Sequence, residues 1–194
     1  MCLSVVIADD EAITRKDLKE RLELNGYNVV GEAMDGFDAV ELCREKKPDF
    51  VLLDIRMPLL DGLGAAKIIH DEELSGCIIM ITAYTDDKYI EKANDIGVMG
   101  YIVKPFQDST VFPNIELAIK RSKELSNLKE QLVNEKKKLR ERKIIEQAKG
   151  IIMEQNSLNE KEAYEYIRML SMNKRKSMGS IAEIIVSNDR FLKE

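Results

Sequence analysis

Five short apolar runs constrain this chain more than any other feature: Leu3 to Ala8, Asn28 to Ala33, Phe50 to Leu53, Cys77 to Ile81 and Gly100 to Val103. They read as strands, and their continuous apolar stretches fit a sheet covered on both faces, as in a parallel sheet. Amphipathic stretches fill the gaps, at Ala12 to Leu24, Gly36 to Glu45, Gly64 to His70 and Asp87 to Asp95, and read as the crossover helices such a sheet requires. Gly26, Pro48, Gly76 and Gly97 stand where the helices should stop. The first part is therefore expected to be an α/β domain with a five-stranded parallel sheet.

After Pro113 no strand-like run recurs, and residues 114–155 contain no proline and one glycine, which predicts a long helix. Ala118, Leu125, Leu132 and Leu139 recur every seven residues and Leu128 fills an intervening position, where Arg121, Glu135 and Arg142 also fall. This imperfect heptad seam could pair two chains in parallel or rest against the first domain. Further on, Asn159 and Glu162 have the spacing of a capping box, with Leu158 and Ala163 as a hydrophobic staple. Ala163, Ile167 and Leu170 make one apolar face, and Met178, Ile181, Ala182 and Ile185 make another on a helix starting near Ser177. The expected organisation is a domain over 1–120, a coiled-coil-like linker over 121–138 and a small three-helix bundle over 139–194.

Charge follows the same division. Residues 1–120 carry 13 Lys and Arg against 23 Asp and Glu, whereas residues 121–194 carry 17 against 12. A polyanionic partner would belong to the basic second part, unless that charge is only a solvated helical surface. The longest apolar run, Cys77 to Ile81, is far short of the roughly 20 residues that span a bilayer, and the start does not resemble a secretory leader. These features point to a soluble, cytoplasmic protein. Cys2, Cys43 and Cys77 are too few and too scattered for a disulfide framework or a zinc site, and His70 is the only imidazole. Cys43 and Cys77 are expected as small buried hydrophobes.

The chemistry gathers at strand ends. Asp9 and Asp10 follow the first strand, Asp54 the third, Thr82 the fourth and Lys104 the fifth. Ligand sites of open parallel sheets lie outside these carboxyl ends. Three converging carboxylates repel one another, and a hard divalent cation such as Mg2+ removes the repulsion. Lys104 adds a point charge for an anion, and Thr82 adds a hydroxyl donor.

The stretches Val6-Ile7-Ala8-Asp9-Asp10-Glu11, Asp54-Ile55-Arg56-Met57-Pro58 with Asp61-Gly62, Ile81-Thr82-Ala83 and Lys104-Pro105-Phe106 resemble the receiver domain of two-component response regulators, a flavodoxin-like fold. The resemblance implies that Asp54 accepts a phosphoryl group from a sensor histidine kinase. It also implies that Asp9, Asp10, Asp54 and the backbone carbonyl of Arg56 hold Mg2+, that Thr82 and Lys104 contact the phosphoryl oxygens, and that Tyr101 is an aromatic switch. From the residues alone, Tyr101 could equally be a core aromatic. A cis Lys104-Pro105 bond is implied as well.

Glycine inside a helix costs roughly 1 kcal/mol relative to alanine, so Gly150, beside Ala148, points to close approach by another helix or by a ligand; packing is expected of both residues, with Lys149 left exposed. The last helix offers mainly Ser180, Glu183 and Ser187 outward, a poor set for reading DNA bases. Glu146 to Met153, Glu162-Ala163-Tyr164, Arg168, Ser171-Met172-Asn173 and Ile181-Ala182-Glu183 resemble the ANTAR domain of the AmiR and NasR antitermination regulators, with Ser171 where that family usually has alanine. The whole chain is similar to the regulators of bacterial ethanolamine-utilisation systems. The resemblance implies RNA binding at tandem leader-transcript hairpins, and Lys149, Arg168, Lys174, Arg175 and Lys176 are the expected RNA contacts. Tyr164 is expected in the core. Leu125, Leu128, Leu132 and Leu139 are the expected seam of a homodimer formed on phosphorylation. Two alternatives stand beside this non-enzymatic reading. One is a receiver whose tail binds DNA or a protein. The other is a haloacid dehalogenase-type phosphatase, whose second aspartate would fall where Arg56 stands.

Overall fold

The computed structural model describes residues 2–83 and 95–193, without the side chains of 189–193. It divides into two compact units, Met1–Ser126 and Asn127–Glu194. In the first, strands β1 (Ser4–Ala8), β2 (Asn28–Ala33), β3 (Phe50–Asp54), β4 (Ile78–Thr82) and β5 (Gly100–Val103) form one sheet in the order β2-β1-β3-β4-β5. Every pairing is parallel. That order reverses direction between β1 and β3, which opens a crevice at their carboxyl ends. Helices α1 (Ala12–Leu24), α2 (Gly36–Lys46) and α3 (Gly62–Asp71) cross between strands. The helix expected over Asp87 to Asp95 falls, but for its last residue, outside the described residues.

Alternate side chains of each strand enter opposite cores, as the pleat dictates. Val6, Ala8, Val51, Leu53 and Met80 pack with α2 and α3, whereas Val5, Ile7, Phe50, Leu52, Ile79 and Ile81 pack with Leu18 and Leu22 of α1 and with Val111, Ile115 and Ala118. Cys43 and Cys77 are buried within these cores, which pushes both thiols up to about 12.

Helix α4 runs from Asp108 to Asn156 and contributes to both units. It begins before Pro113, not after it, and the proline is accommodated inside the helix. Ala118 does not belong to the exposed heptad seam, because it is fully buried beneath Gly100, where an added Cβ would lie 3.1 Å from the Ala118 Cβ. Leu125, Leu128, Leu132 and Leu139 are exposed.

In the second unit α4 packs with α5 (Glu160–Lys174) and α6 (Met178–Lys193) around Ala148, Ile152, Ala163, Ile167, Ile181, Ala182 and Val186. The capping box is formed: Asn159 accepts from the Glu162 backbone at 3.0 Å, and Glu162 accepts from the Asn159 backbone at 2.9 Å. Among the described residues no helix is long and apolar enough to cross a membrane.

Candidate phosphoacceptor site and output surface

The crevice at the β1/β3 switch point assembles the strand-end residues. Asp9 is fully buried, and Asp54 and Thr82 nearly so. Lys104 reaches in from the end of β5, its Nζ 2.6 Å from Asp9 Oδ2 and 2.8 Å from Asp54 Oδ1. The chain turns into place there through a cis Lys104-Pro105 bond, with the Lys104 N–H donating to the Thr82 carbonyl at 2.8 Å. The other Asp54 oxygen accepts from the Arg56 backbone N–H at 2.8 Å. Gly62 lets the start of α3 close onto this corner, since a Cβ there would collide with the Asp54 carbonyl.

Burial pushes the Asp54 carboxyl above the ordinary carboxylate range, against the opposing pull of Lys104 and the Arg56 N–H. Burial of Lys104 works against its charge, but Asp54 and Asp9 together hold its ammonium above the ordinary lysine range. The cleft, about 250 Å³, is lined by Asp10, Glu11, Asp54, Ile55, Arg56, Thr82, Ala83 and Lys104. Tyr101 is half-buried against the α2/α3-side core.

Three observations bear on a divalent cation. The donors are oxygens, as Mg2+ prefers. Asp9 Oδ2 is buried and, although it lies at ion-pair distance from Lys104, no donor reaches it at hydrogen-bonding angles. Against this, among the described residues no group of three or more His, Cys, Asp or Glu side chains is drawn together, and the Lys104 ammonium contacts both Asp9 and Asp54. The chemistry therefore fits Mg2+, with Lys104 holding the charge balance in this arrangement.

Two contacts have no signal in the sequence. Arg15 donates to the Asp9 carbonyl at 2.6 Å, bracing the end of β1. Asp61 caps α3, accepting from the Gly64 N–H at 2.7 Å, and so is not a member of the pocket.

Residues 5–116 match the response regulator receiver domain. The chain belongs to this family. Residues 135–186 match the ANTAR domain. The transcriptional regulatory protein PdtaR of Mycobacterium tuberculosis is 40% identical over 182 residues, which is 94% of this chain and 88% of PdtaR. Among solved structures, the receiver domain of a modulated diguanylate cyclase from Desulfovibrio desulfuricans is 31% identical with a TM-score of 0.59, covering 63% of this chain and 98% of that one. CheY in a CheX–CheY complex with BeF3 and magnesium from Borrelia burgdorferi is 29% identical with a TM-score of 0.56, covering 58% and 86%.

In the ANTAR unit of this response regulator the expected RNA residues have unequal surroundings. Lys149 is not exposed: it retains 6% of its surface. Its ammonium lies 2.8 Å from Glu146 and 2.8 Å from Glu160, and these two carboxylates, Glu146 first, hold it above the ordinary lysine range. Both glutamates are themselves exposed. The Glu146 half, at helical i,i+3 spacing, could have been read from the sequence. Gly150 does not pack: it is exposed, and an added Cβ would meet nothing within 4 Å, so nothing in the fold explains this glycine. Ala148 is in the core as expected. Tyr164 is not core but 43% exposed, as is Tyr166 at 44%. Arg168 is exposed and pairs with Glu165 at 3.3 Å. Lys174, Arg175 and Lys176 form an exposed turn closed by Ser171 Oγ, which donates to the Lys176 carbonyl at 2.6 Å.

Proposed function

We propose that this response regulator takes a phosphoryl group on Asp54 from a sensor histidine kinase and answers by binding RNA. Its targets are tandem hairpins in leader transcripts, and holding them prevents transcription termination. The observation that carries the first half is the buried Asp54 carboxylate with Lys104 at 2.8 Å, opening onto the cleft that Thr82 lines.

The transfer breaks the phosphorus–nitrogen bond of the donor phosphohistidine. An Asp54 oxygen attacks phosphorus, and the bonding electrons stay with the imidazole. The residues supply position and charge neutralisation around the moving group. Lys104 exchanges its Asp54 contact for a phosphoryl oxygen, and the Thr82 hydroxyl donates to another, with Tyr101 following Thr82. Mg2+, when bound, would offset the charge of the three anionic groups, held by Asp9, Asp10, Asp54 and the backbone carbonyl of Arg56.

RNA hairpin loops are read by stacking and edge hydrogen bonds, with cations on the phosphates. The exposure of Tyr164 and Tyr166 supports this reading, since it supplies aromatic surface beside Arg168. Lys174, Arg175 and Lys176 are the readiest cations, and Lys149 meets RNA only when Glu146 and Glu160 release it. The exposed Leu125, Leu128, Leu132 and Leu139 would pair two phosphorylated chains, so that two bundles meet two hairpins at high effective concentration. We place the domain limits at 1–120, 121–138 and 139–194.

The test uses acetyl phosphate with magnesium. Asp54→Ala should lose labelling and the phosphorylation-dependent gain in RNA affinity, and Asp61→Ala, a helix cap, should keep both. Labelling retained in Asp54→Ala would refute the choice of nucleophile.

A further inference from the structure

The expected RNA cations account for only part of the basic surface. Residues 135–143 hold six cations, Lys136, Lys137, Lys138, Arg140, Arg142 and Lys143, against Glu135 and Glu141. All six cations are exposed. Lys138 pairs with Glu135, and among the described residues no ion pair engages the other five. Lys149 and Arg168, by contrast, are both neutralised by neighbouring glutamates. Uncompensated like charges held close together raise the potential of a surface and favour a polyanion over water and counterions.

One contact shows where this segment lies in the bundle. The Gly179 N–H donates to Glu141 Oε1 at 3.3 Å, and a Cβ at Gly179 would overlap the Glu141 side chain. The start of α6 is thus seated on the Glu141 turn of α4. Arg175 and Lys176, four and three residues before Gly179, are drawn to the same place. On a helix the i−4 and i−3 neighbours share a face, so Lys137 and Lys138 stand on the Glu141 side, with Arg142 beside Lys138 at i,i+4 spacing. Lys136 and Lys143 fall on the far side, next to the leucine seam, and Arg140 shares their face at i,i+4 and i,i+3 spacing.

We propose that Lys137, Lys138 and Arg142 of α4, together with Arg175 and Lys176 of the α5–α6 turn, form one continuous surface that binds the phosphate backbone of RNA. It rests on the RNA reading above and extends it to the first turns of the ANTAR match on α4. The stem of a hairpin, which presents only phosphates and sugars to such cations, would lie here. Its loop would be left to Tyr164, Tyr166 and Arg168.

The test uses the full chain treated with acetyl phosphate and magnesium, and a pool of stem–loop RNAs with randomised loops. A tightly bound member of the pool is chosen with the wild-type protein. Its affinity is then measured against salt for K137Q/K138Q and for the charge-matched far-side pair K136Q/K143Q. Glutamine keeps helix propensity, and circular dichroism checks that it does. The near-side pair should flatten the log-log salt dependence by roughly one and a half and weaken binding about tenfold or more near 0.1 M salt, whereas the far-side pair should leave the slope unchanged. Equal flattening by both pairs, or by neither, overturns the surface while leaving the RNA reading intact. A wild-type protein that enriches no RNA overturns both. Duplex DNA bound as tightly, with the same loss in K137Q/K138Q, overturns RNA as its occupant.

Discussion

Lys104→Met should expose what the ammonium does at the phosphoacceptor site before any phosphate arrives. The side chain lies 2.6 Å from Asp9 and 2.8 Å from Asp54, whose side chains are 0% and 8% exposed. Methionine keeps much of the length and removes the charge, leaving two buried carboxylates facing each other. Removing one partner of a buried pair costs about 3–5 kcal/mol. The low end, about 3 kcal/mol, applies here because Lys104 itself is 19% exposed and water can partly replace it. With a urea slope of about 2 kcal/mol/M, the receiver midpoint should fall by about 1.5 M at neutral pH in chelator.

The loss should depend on pH with a definite sign. Burial and the neighbouring Asp9 both raise the Asp54 carboxyl, and in the variant the opposing Lys104 contribution is gone. A carboxyl raised in the folded state binds more protons there than in the unfolded chain, so stability rises as pH falls through its folded value toward the ordinary 3.8. The gap to wild type should therefore be full at neutral pH and narrow toward pH 4. Magnesium added at neutral pH should also narrow it, by supplying positive charge to Asp9. A gap of less than about 1 kcal/mol, or one that ignores pH, would refute this account of the site's charge balance.

Two further outcomes concern the leucine seam and the bundle core. Replacing Leu125, Leu128 and Leu132 with serine should leave labelling of Asp54 intact and abolish any phosphorylation-dependent dimer in sedimentation; a dimer that persists would remove the seam from the mechanism. Ile167→Ala, at a fully buried position of a small core, should cost about 2–5 kcal/mol. It should abolish RNA binding while acetyl phosphate still labels Asp54, and RNA binding undiminished at 37 °C would show that the bundle core does not support the RNA face.

The receiver was legible because its topology does most of the work. Once the apolar runs are read as parallel strands, Asp9, Asp54, Thr82 and Lys104 must emerge at one edge of the sheet. What periodicity could not supply is contact between distant segments. The Lys104 bridge between Asp9 and Asp54 depends on how three loops close, and the Glu160 half of the Lys149 clamp comes from another helix. Tyr164 departs from its expected place in the core: it neighbours Ala163 on the apolar face, yet one residue on a helix is a turn of 100°, enough to carry its ring to the rim. Ala118 illustrates the opposite difficulty. Its heptad spacing continues the leucine seam, but the same helix has a receiver core to fill first, and the alanine is what Gly100 requires.

Helix α4 can serve both proposed contacts because its faces are separate. Leu139 is two residues from Glu141, about 160° around the helix, so the seam points away from the Glu141 turn that carries Lys137 and Lys138. Pairing two chains through the leucines would leave both cationic faces open, one on each side of the dimer. Each face alone would hold an RNA stem by exposed cations whose contacts are weakened by salt. Two such faces on one dimer, meeting two stems on one transcript, turn the second contact into an intramolecular one. A phosphoryl group at Asp54 then need not alter the RNA surface at all. It suffices that it changes how often two such surfaces are held together.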